Sequence, residues 1–118
     1  MINPDLTRGT TLYDNSTGST GTITLSDSAS NYNYIELYYY KSGTYGYSRI
    51  KNPNNKNITL NLDNWFDNNS LQSLYKKILI SNTSISVVYA GYINIIHGSV
   101  AEQGNSNDIL ITNAIGYK

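Results

Sequence analysis

The chain has 118 residues, which is enough for one domain built around one apolar core. Its 8 basic and 8 acidic residues give a formal net charge of zero, and they form no basic run that could neutralise phosphates. The absence of cysteine excludes disulfides and cysteine-based zinc sites. We therefore expect no nucleic-acid partner and a domain that folds without covalent crosslinks.

The N-terminus, Met1-Ile2-Asn3-Pro4-Asp5-Leu6, lacks the basic and apolar regions of a signal peptide. No apolar run approaches the roughly 20 residues that a membrane-spanning helix needs. We therefore expect a protein that is made in a cytoplasm without a signal peptide and that does not insert into a membrane. Residues 1–10 are interpreted as an N-terminal arm, and residues 11–118 as a single domain.

Alternation of apolar and polar residues predicts several short strands. In chain order, the segments with this period are residues 22–25, 34–41, 57–63, 76–81, 84–89, 91–96 and 108–112. Residues 34–41 are the clearest case, because Ile35, Leu37 and Tyr39 share one face while Glu36 and Tyr38 share the other. Helical periodicity is weak, and residues 65–77 are expected to form at most one helical turn.

Turn residues separate these segments. Ser42-Gly43 and Asn52-Pro53-Asn54-Asn55 are examples, since Gly, Asn and Pro suit the backbone angles that turns require. Short strands joined by such turns are typical of an all-β fold. We predict an antiparallel β-sandwich, jelly-roll-like or immunoglobulin-like, with about eight short strands.

Tyrosine is the most unusual component, with 12 Tyr against 1 Phe and 1 Trp. Several tyrosines fall in one predicted hairpin around Ser42-Gly43, and aromatic rings with polar hydroxyls suit both sugar rings and protein interfaces. The candidate ligand-binding residues are Tyr38, Tyr40, Tyr45, Tyr47, Trp65 and Glu36. These tyrosines could equally serve only to cover the sheet and stabilise cross-strand pairs.

Catalytic and metal-binding patterns are not found in the sequence. His97 is the only histidine, and it has no partners with metal-ligand spacing, so we interpret it as a turn or rim residue. Glu36 is the one carboxylate in mid-strand, where solvation or pairing with a cross-strand lysine is the ordinary role. We expect no enzyme, no cofactor and no metal. A small glycan-cleaving enzyme that uses Glu36 is the least favoured alternative.

Two segments carry a resemblance to a known class of proteins. They are residues 11–39, which include Thr11-Leu12-Tyr13-Asp14-Asn15, and the ending Ile109-Leu110-Ile111-Thr112-Asn113-Ala114-Ile115-Gly116-Tyr117-Lys118. The chain resembles the β-rich domains of tail fibre, baseplate or minor structural proteins in phages and prophages of low-GC Gram-positive bacteria.

The resemblance implies a virion-associated structural or binding domain that recognises a host-surface polysaccharide or contacts other virion proteins. It also implies a homo-oligomer, with a trimer as one form. The alternative is a purely architectural protein of a baseplate, tail or head that has no ligand. No catalytic residues are implied.

Overall fold

The computed structural model describes residues 9–65 and 70–118. The described residues form nine strands and one short 3-10 helix at Ala29–Asn31. The strands are β1 (Thr10–Ser19), β2 (Ile23–Thr24), β3 (Tyr34–Lys41), β4 (Thr44–Lys51), β5 (Lys56–Trp65), β6 (Ser70–Ser81), β7 (Ser84–Ile96), β8 (Ser99–Asn105) and β9 (Leu110–Tyr117).

The strands form two antiparallel sheets that pack face to face as a β-sandwich, as the sequence predicts. One sheet has four strands in the order β1-β9-β3-β4. The other has five, with β2-β7-β6-β5 in order and β8 also paired to β7. β2 and β8 pair with opposite ends of β7, so β7 joins the two parts of its sheet.

The core lies between the sheets and consists of the alternate side chains of each strand. In β3 these are Ile35, Leu37 and Tyr39, which confirms the predicted inward face. Gly46 of β4 lies against the ring of Tyr39, and a Cβ atom at Gly46 would overlap that ring. Glycine at this position therefore leaves room for the Tyr39 ring in the core.

A tight turn at Ser42 and Gly43 joins β3 to β4. Both residues have positive φ, 49° and 80°, which is the left-handed conformation that two-residue hairpin turns use. Eight consecutive pairs follow without a bulge, from Lys41 opposite Thr44 to Tyr34 opposite Lys51. This regular register confirms the predicted hairpin and places every second side chain on the outer surface.

The five-stranded sheet is longer than its partner. β6 and β7 have 12 and 13 residues, whereas β3, β4 and β9 have 8 each. At about 3.3 Å per residue, the longer strands exceed the shorter ones by about 13–17 Å. The end of the five-stranded sheet therefore extends past the sandwich, in line with the 53 × 30 × 24 Å extents of the molecule.

Several sequence predictions need correction. Residues 70–77 belong to β6, so the predicted helical turn is wrong there, and residues 66–69 lie outside the described residues. β7 is one strand with a bulge at Val88, where two separate strands are predicted. β8 is not predicted at all, because its sequence SVAEQGN has little apolar alternation. Thr10, assigned to the arm, begins β1.

Candidate functional site: the tyrosine face

The outer surface of the β3–β4 hairpin holds most of the predicted site. Cross-strand pairing sets Tyr38 beside Tyr47 and Tyr40 beside Tyr45. The next pair along the hairpin is Glu36 with Arg49. β9 pairs with the other edge of β3 and adds Tyr117 to the same surface. We call this surface the tyrosine face, formed by Tyr34, Glu36, Tyr38, Tyr40, Tyr45, Tyr47, Arg49 and Tyr117.

The aromatic pairs have two different geometries. The rings of Tyr40 and Tyr45 are stacked, with centroids 5.6 Å apart and planes at 22°. The rings of Tyr38 and Tyr47 are tilted, with centroids 5.2 Å apart and planes at 57°. Tyr45 is 80% exposed and Tyr47 is 50% exposed. The hairpin therefore presents large aromatic area that no described part of the chain covers.

Glu36 lies beneath this surface and is only 8% exposed. The hydroxyl of Tyr47 donates a hydrogen bond to Oε2, and the hydroxyl of Tyr38 donates a longer one, of 3.5 Å, to Oε1. The Tyr117 hydroxyl, on the neighbouring strand β9, also lowers the pKa of this carboxyl group. The sequence interpretation of Glu36 as solvated or paired to a lysine is therefore wrong, because its partners are tyrosines and its cross-strand neighbour is Arg49.

The hydrogen bonds control the ionisation of the site. Burial raises the pKa of Glu36, but the Tyr47 and Tyr117 hydroxyls, the charge of Arg49 and the Tyr38 hydroxyl together bring it below the usual 4.5. The same contact with Glu36 raises the pKa of Tyr47 to about 12. At neutral pH the carboxylate is therefore charged and the tyrosines are protonated donors.

Arg49 lies over the ring of Tyr34, with its Cζ atom 4.2 Å from the ring centroid, and 5.8 Å from that of Tyr117. A guanidinium over aromatic rings is held by their negative faces and by their contact area. Arg49 is exposed, and so is Lys51 on the same strand. Because Glu36 is buried, the accessible charges along this hairpin are positive.

The structure brings together five of the six predicted site residues. Trp65 is separate, since it lies at the end of β5 in the other sheet and is 69% exposed. Sequence reasoning missed Tyr34, Arg49 and Tyr117. The alternation of β3 and β4 places Tyr34 and Arg49 on the tyrosine face, whereas Tyr117 requires knowledge that β9 pairs with β3.

The protruding end of the five-stranded sheet forms a second exposed apolar surface, which we call the tip. Across its strands, Trp65 pairs with Leu71, Leu71 with Ile95, and Ile95 with Val100. Beside this row is a hollow of about 150 Å³. Its lining residues are Ser70, Leu71, Asn94, Ile95 and Ile96.

A second buried charge lies in the core, where Lys76 of β6 has no exposed surface. Its Nζ atom donates to the carbonyl oxygens of Ile109 at 2.5 Å and Thr20 at 3.0 Å. Burial lowers the pKa of Lys76 to about 8, although the negative charge of Asp108 acts in the opposite direction and raises it. This ammonium fastens the segments before β2 and β9 to the five-stranded sheet.

His97 lies in the turn between β7 and β8 with φ of 52°, which confirms the expected turn position. Among residues 9–65 and 70–118, no three His, Asp or Glu side chains lie close enough together to hold a metal ion. In the part of the chain that the structure describes, no helix has the length and apolar character to cross a membrane.

In comparisons with known proteins, no family model, curated protein or solved structure matches this chain.

Proposed function

We propose that this chain is a binding module of a virion, and that the tyrosine face recognises a host-surface carbohydrate. The observation that carries the proposal is the exposed, cross-strand arrangement of Tyr38, Tyr40, Tyr45 and Tyr47. The phage setting rests on the resemblance of residues 11–39 and 109–118 to phage structural domains.

The physical case is the match between a flat aromatic surface and a sugar chain. Sugar rings have apolar C–H faces that pack on aromatic rings, and hydroxyls at their edges that form hydrogen bonds. Tyr45 and Tyr47 offer rings, and Arg49 offers donors beside them. Tyr and Arg are also the side chains enriched at the strongest contact positions of protein interfaces.

Glu36 organises this surface in the proposal and is not a catalytic acid. A general acid must hold a proton near neutral pH, which requires a raised pKa. Here the net effect of the tyrosine hydroxyls and Arg49 is a lowered pKa. The glycan-cleaving alternative therefore loses support from the residue that suggested it.

The test measures binding of cell-wall polysaccharide from low-GC Gram-positive bacteria. Calorimetry gives the affinity, and a glycan array gives the specificity. We expect Tyr45→Ala to weaken binding at least tenfold. Tyr89→Ala is the matched control, because Tyr89 is also about half exposed but lies on the other sheet. No binding by the folded wild-type chain, or equal loss in both variants, would refute carbohydrate recognition by this face.

A purely architectural role is the second candidate, and the tip favours it. Trp65, Ile96 and Val100 are 69%, 42% and 61% exposed there. Exposed apolar area of this kind marks interaction sites in soluble proteins. Assembly with other copies or other virion proteins would cover it.

A further inference from the structure

We propose that the carbohydrate bound by the tyrosine face is acidic and lies in one direction along the β3–β4 hairpin. Its anionic groups, carboxylates or phosphodiesters, contact Arg49 and Lys51, while uncharged sugar rings pack on Tyr45 and Tyr40. The inference rests on the proposed function, because it names the chemical class and the orientation of the ligand at the same site.

The two ends of the tyrosine face differ in charge. Four cross-strand pairs follow one another on the same side of the hairpin, because β3 and β4 alternate in step with each other. From the turn onward they are Tyr40 with Tyr45, Tyr38 with Tyr47, Glu36 with Arg49, and Tyr34 with Lys51. The first two pairs are purely aromatic, and each of the last two has a cation on β4. A ligand along this hairpin therefore meets aromatic rings at one end and positive charge at the other.

The two cations are accessible to a ligand. Arg49 and Lys51 are both exposed, and alternation along β4 places them on the same side as Tyr45. The Cζ atom of Arg49 lies 4.2 Å from the centroid of the Tyr34 ring. A guanidinium in contact with a ring keeps N–H donors at its edge, and their geometry matches the oxygens of a carboxylate or a phosphate. This end of the hairpin is therefore suited to an anion.

The negative charges of the four-stranded sheet and its connections lie away from these cations or beneath the surface. Glu36 is only 8% exposed, and its carboxylate is covered by tyrosine hydroxyls. Asp27 accepts a hydrogen bond from Tyr32, a core residue. Asp14 is exposed on β1, three strands away from β4 and hence about 14 Å from it. An anion that approaches the outer side of β4 is therefore attracted by the local charge.

The turn end of the face is suited to uncharged sugar. Tyr45 is 80% exposed, and its ring is stacked on that of Tyr40 at 5.6 Å between centroids. At about 3.3 Å per residue, Arg49 lies about 13 Å and Lys51 about 20 Å from Tyr45 along β4. These distances exceed the length of a single sugar ring. A ligand that contacts both ends is therefore a chain of sugars.

The first experiment compares polysaccharides that differ in charge. Cell-wall polysaccharide of low-GC Gram-positive bacteria is separated into neutral, carboxylate-bearing and phosphodiester-bearing fractions, and each is titrated into the wild-type chain by calorimetry. We expect at least one acidic fraction to bind about tenfold more tightly than the neutral fraction, and several-fold more weakly in about 0.5 M than in about 0.05 M salt. The fraction that binds more tightly identifies the anionic group.

The second experiment removes single cations. Lys51→Gln is at an exposed position, so it should keep the fold and weaken binding of the acidic fraction about threefold, as loss of an exposed ion pair does. Arg49→Gln should weaken it about tenfold, because a guanidinium forms stronger hydrogen bonds with anions. Lys77→Gln is the matched control. It makes the same change in net charge, but Lys77 lies between the buried Lys76 and Ile78 on β6 and hence faces outward from the other sheet.

The third experiment tests the orientation of the ligand. Tyr45→Ala should weaken binding of the neutral and the acidic fractions alike, whereas Lys51→Gln should weaken binding of the acidic fraction alone. Equal effects of Lys51→Gln on both fractions, or equal effects of Lys51→Gln and Lys77→Gln, would overturn the contact with an anion.

The outcomes separate this inference from the proposed function. If the wild-type chain binds neutral and acidic fractions equally, and salt has no effect, the ligand is not selected by charge and only this inference fails. If the folded chain binds none of the fractions, carbohydrate recognition itself fails. Tighter binding of an acidic fraction that is lost on Lys51→Gln and kept on Lys77→Gln supports both.

Discussion

Glu36 and Lys76 are both buried charges on strands, and the chain satisfies them in opposite ways. Glu36 lies on the outer side of the four-stranded sheet and accepts hydrogen bonds from tyrosine side chains. Lys76 lies between the sheets and donates to backbone carbonyls. The pKa of each is lowered, but a lower pKa means a favoured charge for the carboxyl group and a penalised charge for the amine.

The difference separates a recognition surface from a structural fastening. Tyrosine hydroxyls bring the carboxylate a favourable environment and are themselves positioned by it. Carbonyl oxygens give the ammonium only two partial charges, which do not replace the water that it loses. The Lys76 contact therefore joins distant segments at an energetic cost, whereas the contacts of Glu36 together outweigh the cost of its burial.

The largest expected effect is the loss of Lys76. Lys76→Ala leaves a cavity and removes the hydrogen-bond donor of the Thr20 and Ile109 carbonyls. We expect the free energy of unfolding, measured in urea, to fall by about 3–5 kcal/mol. Lys76→Met keeps most of the volume and should lose less. A Lys76→Ala variant as stable as the wild type would show that the fastening has no energetic role.

The Lys76 pKa of about 8 also predicts how the free energy of unfolding changes with pH in alkaline solution. An unfolded lysine keeps its proton up to about pH 10.5, so the unfolded chain binds more protons than the folded chain between these values. Stability should therefore rise with pH through this window, and the rise should be absent in Lys76→Met. Urea unfolding between pH 7.5 and 9.5 measures the difference and avoids the titration of Tyr47, whose pKa is about 12 when folded.

The smallest effect is expected at Glu36. Glu36→Gln replaces charge-assisted hydrogen bonds by neutral ones and should cost about 1–2 kcal/mol at pH 7. Because folding lowers the Glu36 pKa, its contribution is present above the unfolded value of 4.5 and is lost as pH falls through the folded value. The variant should therefore lose less stability on acidification than the wild type. Parallel acid titrations of the two proteins would contradict this assignment.

Sequence periodicity predicted the β3–β4 hairpin and the outward direction of Tyr38 and Tyr40, because the residues of β3 alternate and a Ser-Gly turn follows them. The sequence also contains a signal that Lys76 is buried, because Lys76 follows the same two-residue period as the buried Leu74, Ile78 and Ile80. A lysine on an apolar face is easily taken for the end of a strand, since its burial depends on carbonyls from distant segments.

Other features depend on strand order, which periodicity does not contain. Tyr117 joins the tyrosine face only because β9 lies beside β3, about eighty residues later in the chain. Trp65 shares aromatic character with the predicted site but lies on the other sheet. β8 has small and polar residues, and it is a strand because β7 offers a free edge.

The orientation of the hydroxyl protons at Glu36 limits what a ligand can offer. Tyr38 and Tyr47 each direct a proton inward to the carboxylate, so only their oxygen lone pairs remain for an outside molecule. A group that binds these oxygens must bring its own hydrogen, as an alcohol, an amide N–H or an ammonium does. Bare carboxylates and phosphates would meet lone pair against lone pair at these two oxygens.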